Sequence, residues 1–267
     1  MERAPRALLL IALQLNLGVI RRTGFGDMKE LPESGGFMVP DDFDTDAFVV
    51  VLKQTSKYDQ SAPVPRRALA AAWNGVMHRF RSTHDWNLAF VEAMGAGDGP
   101  PLNERYAQEM ALFGFASAAV STVDCCAFAA YCLGALARPD VFPVTVDRDL
   151  NFYPPQVRDS FLKAYPQEAV GSVLADIVKS PDYVRLADLR NVLSHRGTLP
   201  RNFRVSVGSG PHKNDGAFIP SNPKSISSNW VVDQRVDVTL TDSLRVWLGR
   251  VQAQLMQAIA AFASGHL

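Results

Sequence analysis

Residues 111–137 read ALFGFASAAVSTVDCCAFAAYCLGALA, and Asp124 is the one charged side chain among them. This stretch is long enough to cross a bilayer, but a charge near its centre would cost about 2.5–3.5 kcal/mol there. Its residues are mostly Ala, Gly, Ser and Cys rather than Leu and Ile. A helix that is apolar on every side also suits the centre of a helical bundle. We therefore predict a central core helix from about Asn103 to Ala137 and no membrane contact.

Helical patterns flank this core helix on both sides. Pro63 and Pro65 open a helical segment that runs to about Met94, where the Gly- and Pro-rich run 95–101 breaks it. After the core helix, a further helical segment begins near Pro154. The chain therefore alternates long helical segments with short breaks, which is the pattern of a helical bundle.

Two more helices are predicted in the last third of the chain. Ser180 provides an N-cap and Pro181 a suitable first residue for a helix that Gly197 would end. The last helix is amphipathic, and Thr241 or Asp242 would cap it. Because these helices account for most of the chain, we predict a mainly α fold.

Shorter segments carry loop or β signals. Residues 24–46 are rich in Gly, Pro and acidic residues and are predicted as a loop, and residues 48–52 (FVVVL) as a short strand. Residues 203–207 and 231–240 alternate apolar and polar side chains around a Gly-, Pro- and Ser-rich stretch. This pattern predicts a β-hairpin with a long loop, inserted at about 203–240 before the last helix.

These signals divide the chain into a helical domain, residues 63–267, and an N-terminal extension, residues 1–62, which we expect to pack on the core. The apolar run 7–20 is similar to a signal peptide, but polar residues interrupt it and Arg21 and Arg22 follow it. We interpret the run as a first helix or strand packed on the core, with a signal peptide as the alternative.

Composition restricts the function classes. Lys+Arg and Asp+Glu number 27 each, so the chain lacks the overall positive charge that is typical of nonspecific nucleic-acid binders. Charged residues are only 20% of the chain, which favours a surface partly covered by another subunit.

Cys125, Cys126 and Cys132 lack metal-ligand spacing and are predicted as buried thiols in a reducing, cytoplasmic compartment. We expect no metal and no cofactor.

One polar motif lies in the segment 189–196, which reads LRNVLSHR. At about 100° per residue the apolar positions fall on the side that faces the core, namely Leu186, Leu189, Val192 and Leu193. The polar positions share the opposite strip, namely Arg190, Asn191, Ser194 and His195. Arg190 and Ser194 are one turn apart, as are Asn191 and His195.

The residue types on this strip suit phosphodiester chemistry. The fork of Arg190 matches phosphate oxygens, and His195 can exchange a proton near neutral pH. Asn191 can hold either the phosphate or the imidazole. Metal-free cleavage of RNA needs little more, because the 2′-hydroxyl is itself the nucleophile and the protein only moves protons and stabilises charge on phosphorus. The competing interpretation is an ordinary solvated helix face, on which Arg and His are common.

The segment Leu189–Arg196 resembles the RNxxxH signature of the HEPN family (higher eukaryotes and prokaryotes nucleotide-binding domains), and helical segments precede it as in that family. The resemblance implies a helical bundle and, in many members, a metal-independent endoribonuclease whose site forms where two motif helices meet in a homodimer. It maps the catalytic residues to Arg190, Asn191 and His195. Bacterial defence or stress response is the setting that it implies.

RNA or a nucleotide is the expected partner, and Ser194 and Arg196 are expected to add binding contacts on either side of His195. Residues 185–224 hold seven basic and two acidic residues, a local excess that would guide a phosphate backbone. A solvated basic loop is the alternative explanation of that excess. Some HEPN members are binding or scaffold modules, so the alternative function is a non-catalytic nucleotide- or protein-binding helical module.

Asp124 is expected to have a partner inside the bundle. A lone carboxylate in an apolar helix is costly to ionise, so it must be paired, protonated or turned toward a cavity. Arg190 or His195 would be one such partner, and a hydroxyl or a backbone amide at a helix crossing is the other.

Overall fold

The structure is a computed structural model that describes residues 28–32, 34–56, 63–95, 102–144, 152–195, 201–203, 214–220 and 232–267. The helices are α1 (Thr45–Ser56), α2 (Pro63–Gly95), α3 (Leu102–Ala137), α4 (Pro154–Ala164), α5 (Ala169–Lys179), α6 (Pro181–His195) and α7 (Val238–His266). The strands are β1 (Met28–Glu30), β2 (Met38–Pro40), β3 (Arg201–Phe203), β4 (Asn214–Pro220) and β5 (Val232–Val236). The fold is mainly α, as predicted.

The long helix α3 is the centre of the bundle and packs against α2, α4, α6 and α7. Among the residues that the structure describes, it is the one helix long and apolar enough to cross a membrane, yet 78% of its most apolar 18-residue stretch is buried inside the protein. Its small residues let neighbours approach closely: a Cβ on Gly134 would lie 2.8 Å from the ring of Phe142. The predicted central core helix is confirmed.

Prolines mark the starts of three helices. Pro63 begins α2, Pro154 begins α4 and Pro181 begins α6, in each case where the missing amide proton would have no helical acceptor. The bounds of α2 and α3 lie within about one residue of the predicted ones. The helical segment predicted after Pro154 forms two helices, because a turn at residues 165–168 separates α4 from α5.

The loop predicted at residues 24–46 is only partly right, because residues 41–44 form no helix or strand but the described residues before them form a hairpin. Here β1 and β2 form an antiparallel hairpin in which Met28 pairs with Pro40. Gly35 and Gly36 make the turn with positive φ angles of 69° and 94°, which residues with a Cβ rarely adopt. The glycines that indicated a loop therefore belong to the tight turn of a hairpin.

The strand predicted at residues 48–52 is also wrong, because this run lies in α1. Asp44 caps the helix, and its Oδ1 accepts a hydrogen bond of 2.9 Å from the amide three residues later. Helical spacing buries both Phe48 and Val51, and Phe48 stacks on Trp73 with ring centroids 5.2 Å apart. The cap and these core contacts outweigh the β preference of the run FVVVL.

A β insertion precedes α7, as predicted, but it holds a third strand. The sheet is antiparallel in the order β3–β4–β5, and β4 lies in the stretch that was predicted as a loop. Glycine and proline within β4 weaken its strand pattern. The helix α7 begins at Val238, earlier than the predicted cap, because the Asp237 carboxylate accepts a hydrogen bond of 3.1 Å from the Leu240 amide. Residues 204–207 of the predicted first strand lie outside the described residues.

The described part of the N-terminal extension shares its core with the helices. Leu31, Phe43 and Phe48 belong to the same buried cluster as the central residues of α3 and α7, and α1 packs on α7. The apolar run 7–20 lies outside the described residues. The division of the chain at residue 62 stays a prediction.

Candidate functional site

The polar motif lies on α6, which begins at Pro181 and is described as far as His195. The Ser180 hydroxyl accepts a hydrogen bond of 3.3 Å from the amide of Asp182, and the Ser180 carbonyl accepts one of 3.1 Å from the amide of Val184. The predicted helix and its cap at Ser180 are therefore confirmed.

Three apolar side chains anchor α6 in the bundle. Leu186, Leu189 and Val192 are each 1% exposed, whereas Leu193, which was predicted to be buried, is only partly so. The last two buried positions share a cluster with residues of α2, α3 and β5, namely Phe90, Ala111, Leu112, Ala116 and Val236. Because three elements surround this part of α6, Leu189 and Val192 are buried there, as helical spacing predicts.

The helix α6 runs antiparallel to α3. Leu189 and Val192, late in α6, cluster with residues 111–116, early in α3. Tyr183, early in α6, instead interacts electrostatically with Asp124, which is later in α3. The C-terminal end of α6, which carries the motif, therefore lies at the level of the first half of α3.

Asp124 and Arg190 lie close enough across the α3–α6 packing for the Arg190 charge to act on the Asp124 carboxyl. Burial raises the pKa of Asp124 to about 6, and the Arg190 charge opposes that rise by favouring the carboxylate. Within the described part of the chain no hydrogen bond or ion pair joins the two side chains, and the Arg190 Nε is buried without a partner. Arg190 therefore acts on Asp124 through space, and not as the direct partner that was one of the two alternatives predicted from the sequence.

Tyr183 is the third member of this cluster. It lies seven residues, or two turns, before Arg190 and so shares its helix face. Burial, followed by the Asp124 charge, raises the pKa of Tyr183 to about 12, and the Arg190 charge opposes that rise. The hydroxyl therefore stays protonated at neutral pH and can donate a hydrogen bond to an anionic oxygen.

The helix α3 contributes a polar strip on the face that carries Asp124. Ser121 lies one turn and Ser117 two turns before Asp124, and all three are half-buried. Sequence reasoning missed both serines and Tyr183, because it considered only Asp124 on α3 and otherwise confined the site to LRNVLSHR. Helical spacing, counted back from Asp124 and from Arg190, is the signal that would have found them.

The remaining motif residues differ in exposure. Asn191 is half-buried and Ser194 is exposed. The side chain of His195 and the whole of Arg196 lie outside the described residues. Helical spacing puts His195 one turn after Asn191. The grouping of His195 with Arg190 in one cleft therefore stays a prediction.

The cluster of Arg190, Asp124 and Tyr183 can bind an anion and exchange a proton. The fork of a guanidinium matches phosphate oxygens, and the attraction between the two charges is stronger in a partly buried site than in water. Tyr183 adds a neutral donor. A carboxyl with a pKa of about 6 can accept or release a proton near neutral pH.

A second polar cluster has a structural character. The Arg245 side chain is 5% exposed and donates two hydrogen bonds of 2.8 Å to Asp42, while its guanidinium lies 4.3 Å from the ring centroid of Phe80. Burial, followed by the Arg245 charge, lowers the pKa of the neighbouring His84. These contacts join α7 to α2 and to the segment before α1, so they stabilise the bundle.

The described part of the chain contains no assembled metal site and no reactive thiol site. No group of three or more His, Cys, Asp or Glu side chains that could hold a metal ion occurs there. Cys126 and Cys132 are buried, Cys125 is half-buried, and all three are free thiols. Burial raises the pKa of Cys132 to about 12, which keeps that thiol protonated and unreactive.

No protein-family model, no curated protein and no solved structure matches the chain. The resemblance of LRNVLSHR to the HEPN signature therefore rests on those eight residues, and the functional argument rests on the chemistry of the Arg190 cluster.

Proposed function

We propose that the chain is a metal-independent endoribonuclease of HEPN type, acting in the cytoplasm, with Arg190, Asn191 and His195 as its catalytic residues. The observation that carries the proposal concerns Arg190. Its side chain is half-buried, and its Nε has no hydrogen-bond partner among the described residues. A merely solvated face would leave its arginine in water, because burying a polar atom without a partner costs free energy. A phosphate ligand would supply acceptors for such an arginine.

In the proposed reaction the protein moves protons and stabilises charge. His195 accepts the proton of the RNA 2′-hydroxyl, the 2′-oxygen attacks the adjacent phosphorus, and the bond from phosphorus to the 5′-oxygen breaks. The products are a 2′,3′-cyclic phosphate and a 5′-hydroxyl. Arg190 stabilises the charge that develops on the phosphate oxygens, and Asn191 holds the phosphate or the imidazole. Asp124 holds the guanidinium in place through its charge when it is ionised.

The complete site, in this proposal, forms in a homodimer. One chain supplies one His195, whereas the reaction needs a base for the 2′-hydroxyl and an acid for the leaving oxygen. An isologous interface supplies the same groups twice. Val184 supports a partner on this side of α6, because it is 47% exposed and lies on the helix face of Asn191, two turns away.

The test is cleavage of RNA by purified wild type, Arg190→Ala and His195→Ala. Each variant should lose roughly 10²–10⁴-fold in rate while its thermal unfolding stays close to that of wild type. The matched control is Arg185→Ala, since Arg185 is an exposed arginine of the same helix that forms an ion pair of 3.1 Å with Asp182. This control should cleave at the wild-type rate.

Other outcomes of the same assay separate the alternatives. Wild type that binds RNA through Arg190 without cleaving it would favour the non-catalytic nucleotide- or protein-binding module. Cleavage that survives in both variants would place the activity elsewhere and end the proposal. Equal loss in Arg185→Ala would show that general positive charge, rather than this site, is responsible.

A further inference from the structure

Four large apolar side chains are exposed together on the outer face of α2 and α3. Tyr106, Met110 and Phe113 recur one turn apart along α3 and are 66%, 40% and 37% exposed. Trp86 of α2 is 39% exposed, and its ring lies against Gly114, beside the other three. We call these four side chains the aromatic stripe. Contiguous apolar surface of this kind typically has a partner.

The β1–β2 hairpin lies along α2, the helix that carries Trp86. The ring of Phe37 packs edge-on against His78 with centroids 4.8 Å apart. The carbonyl of Met38 accepts a hydrogen bond of 3.2 Å from Arg81 Nη1. The turn and the second strand of the hairpin are therefore fixed beside the middle of α2.

The start of the hairpin also lies beside α2. Met28 pairs with the last residue of β2. Two residues after that strand, Asp42 binds Arg245, whose guanidinium lies over Phe80 of α2. Met28 therefore lies near residue 80 of α2, and Trp86 lies about 9 Å further along the same helix.

The sequence before Met28 contains an occupant for the stripe. Residues 7–20 read ALLLIALQLNLGVI, with eleven aliphatic residues and no charge. The eight peptide steps from Ile20 to Met28 span at most about 29 Å, which exceeds the separation along α2 between residue 80 and Trp86. We propose that residues 7–20 of this same chain cover the aromatic stripe. Each apolar surface removes the other from water, which is favourable for both.

A second copy of the chain is the competing occupant. A segment joined to the rest of its own chain by only a few residues is present at an effective concentration of about millimolar, well above the micromolar concentration of a free protein. The tethered segment therefore binds the stripe in preference to a second copy. This docking is independent of the proposed ribonuclease activity, because neither catalytic residues nor RNA take part in it.

The experiment is photo-cross-linking in the full chain, with benzoylphenylalanine in place of Phe113. This exchange keeps an aromatic side chain at an exposed position, and mass spectrometry of the intact chain verifies that residues 1–20 are present. The expected adducts join position 113 to residues 7–20 within one chain, with a yield that does not change over a tenfold dilution. The matched control carries the same probe in place of Tyr153, which is 60% exposed at the start of α4, and should give no adduct with residues 7–20.

Two results would overturn the docking proposal. Adducts between two chains, with a yield that falls on dilution, would assign the stripe to a second copy. Adducts confined to other segments, or none at all with residues 7–20, would show that the run lies elsewhere. The probe in place of Tyr106, the most exposed member of the stripe, repeats the measurement at a position where it cannot disturb the core.

Discussion

Replacement of Asp124 by asparagine should stabilise the protein at pH 8. Burial raises the pKa of this carboxyl from about 4 to about 6. The folded state therefore holds the proton more tightly than the unfolded state, and stability falls as the pH rises from about 4 to about 6. Two pKa units at 1.36 kcal/mol each lower the free energy of unfolding by about 3 kcal/mol at pH values above about 6. Asparagine resembles the protonated acid and avoids the cost.

Urea unfolding of wild type and Asp124→Asn at pH 4 and pH 8 measures this effect. The variant should gain up to about 3 kcal/mol over wild type at pH 8 and almost nothing at pH 4. In thermal unfolding the gain at pH 8 corresponds to roughly 6–12 °C. The control is Asp159→Asn, an exposed carboxylate beside Arg158, which should not show this pH-dependent gain. A variant less stable than wild type at pH 8 would mean that Arg190 attracts the carboxylate more strongly than burial disfavours it, and would refute the reasoning.

Two further substitutions test the packing around the site. Leu189→Ala should lower the free energy of unfolding by about 2–5 kcal/mol, because it leaves a cavity where α6 meets α2, α3 and β5. The control is Leu162→Ala at an exposed position, which should change the free energy of unfolding little in the same urea titration. Gly134→Ala should cost about 1–3 kcal/mol, because its Cβ would press on the ring of Phe142, and an unchanged melting temperature would contradict this close approach.

The helices that the sequence predicts best are those with strong breakers at their ends. Proline or glycine bounds α2 and lies just outside both ends of α3, so the composition alone places them within about one residue. The helix α1 could not be predicted in this way, because its run FVVVL favours a strand and only its cap and its packing on Trp73 make it helical. The strand β4 was missed because pairing on both sides, rather than its own residues, defines it.

The site was predictable where it depends on one helix and not where it depends on two. The strip of α6 follows from helical spacing within LRNVLSHR, and Leu186 and Leu189 are buried as predicted. The depth of Arg190 could not be predicted, because it depends on how α6 lies across α3. The approach of Asp124 to Tyr183 depends on that same crossing, which no spacing within one segment determines.

The most direct test of the proposed activity is an analysis of the RNA ends that the wild-type protein leaves in the presence of EDTA. The proposal predicts that cleavage continues in EDTA and that the products carry 2′,3′-cyclic phosphate and 5′-hydroxyl ends. It also predicts that a single 2′-deoxy substitution at the cleaved nucleotide stops the reaction, because the nucleophile is then absent. Cleavage that requires added metal, leaves 3′-hydroxyl ends, or proceeds at the deoxy position would contradict it.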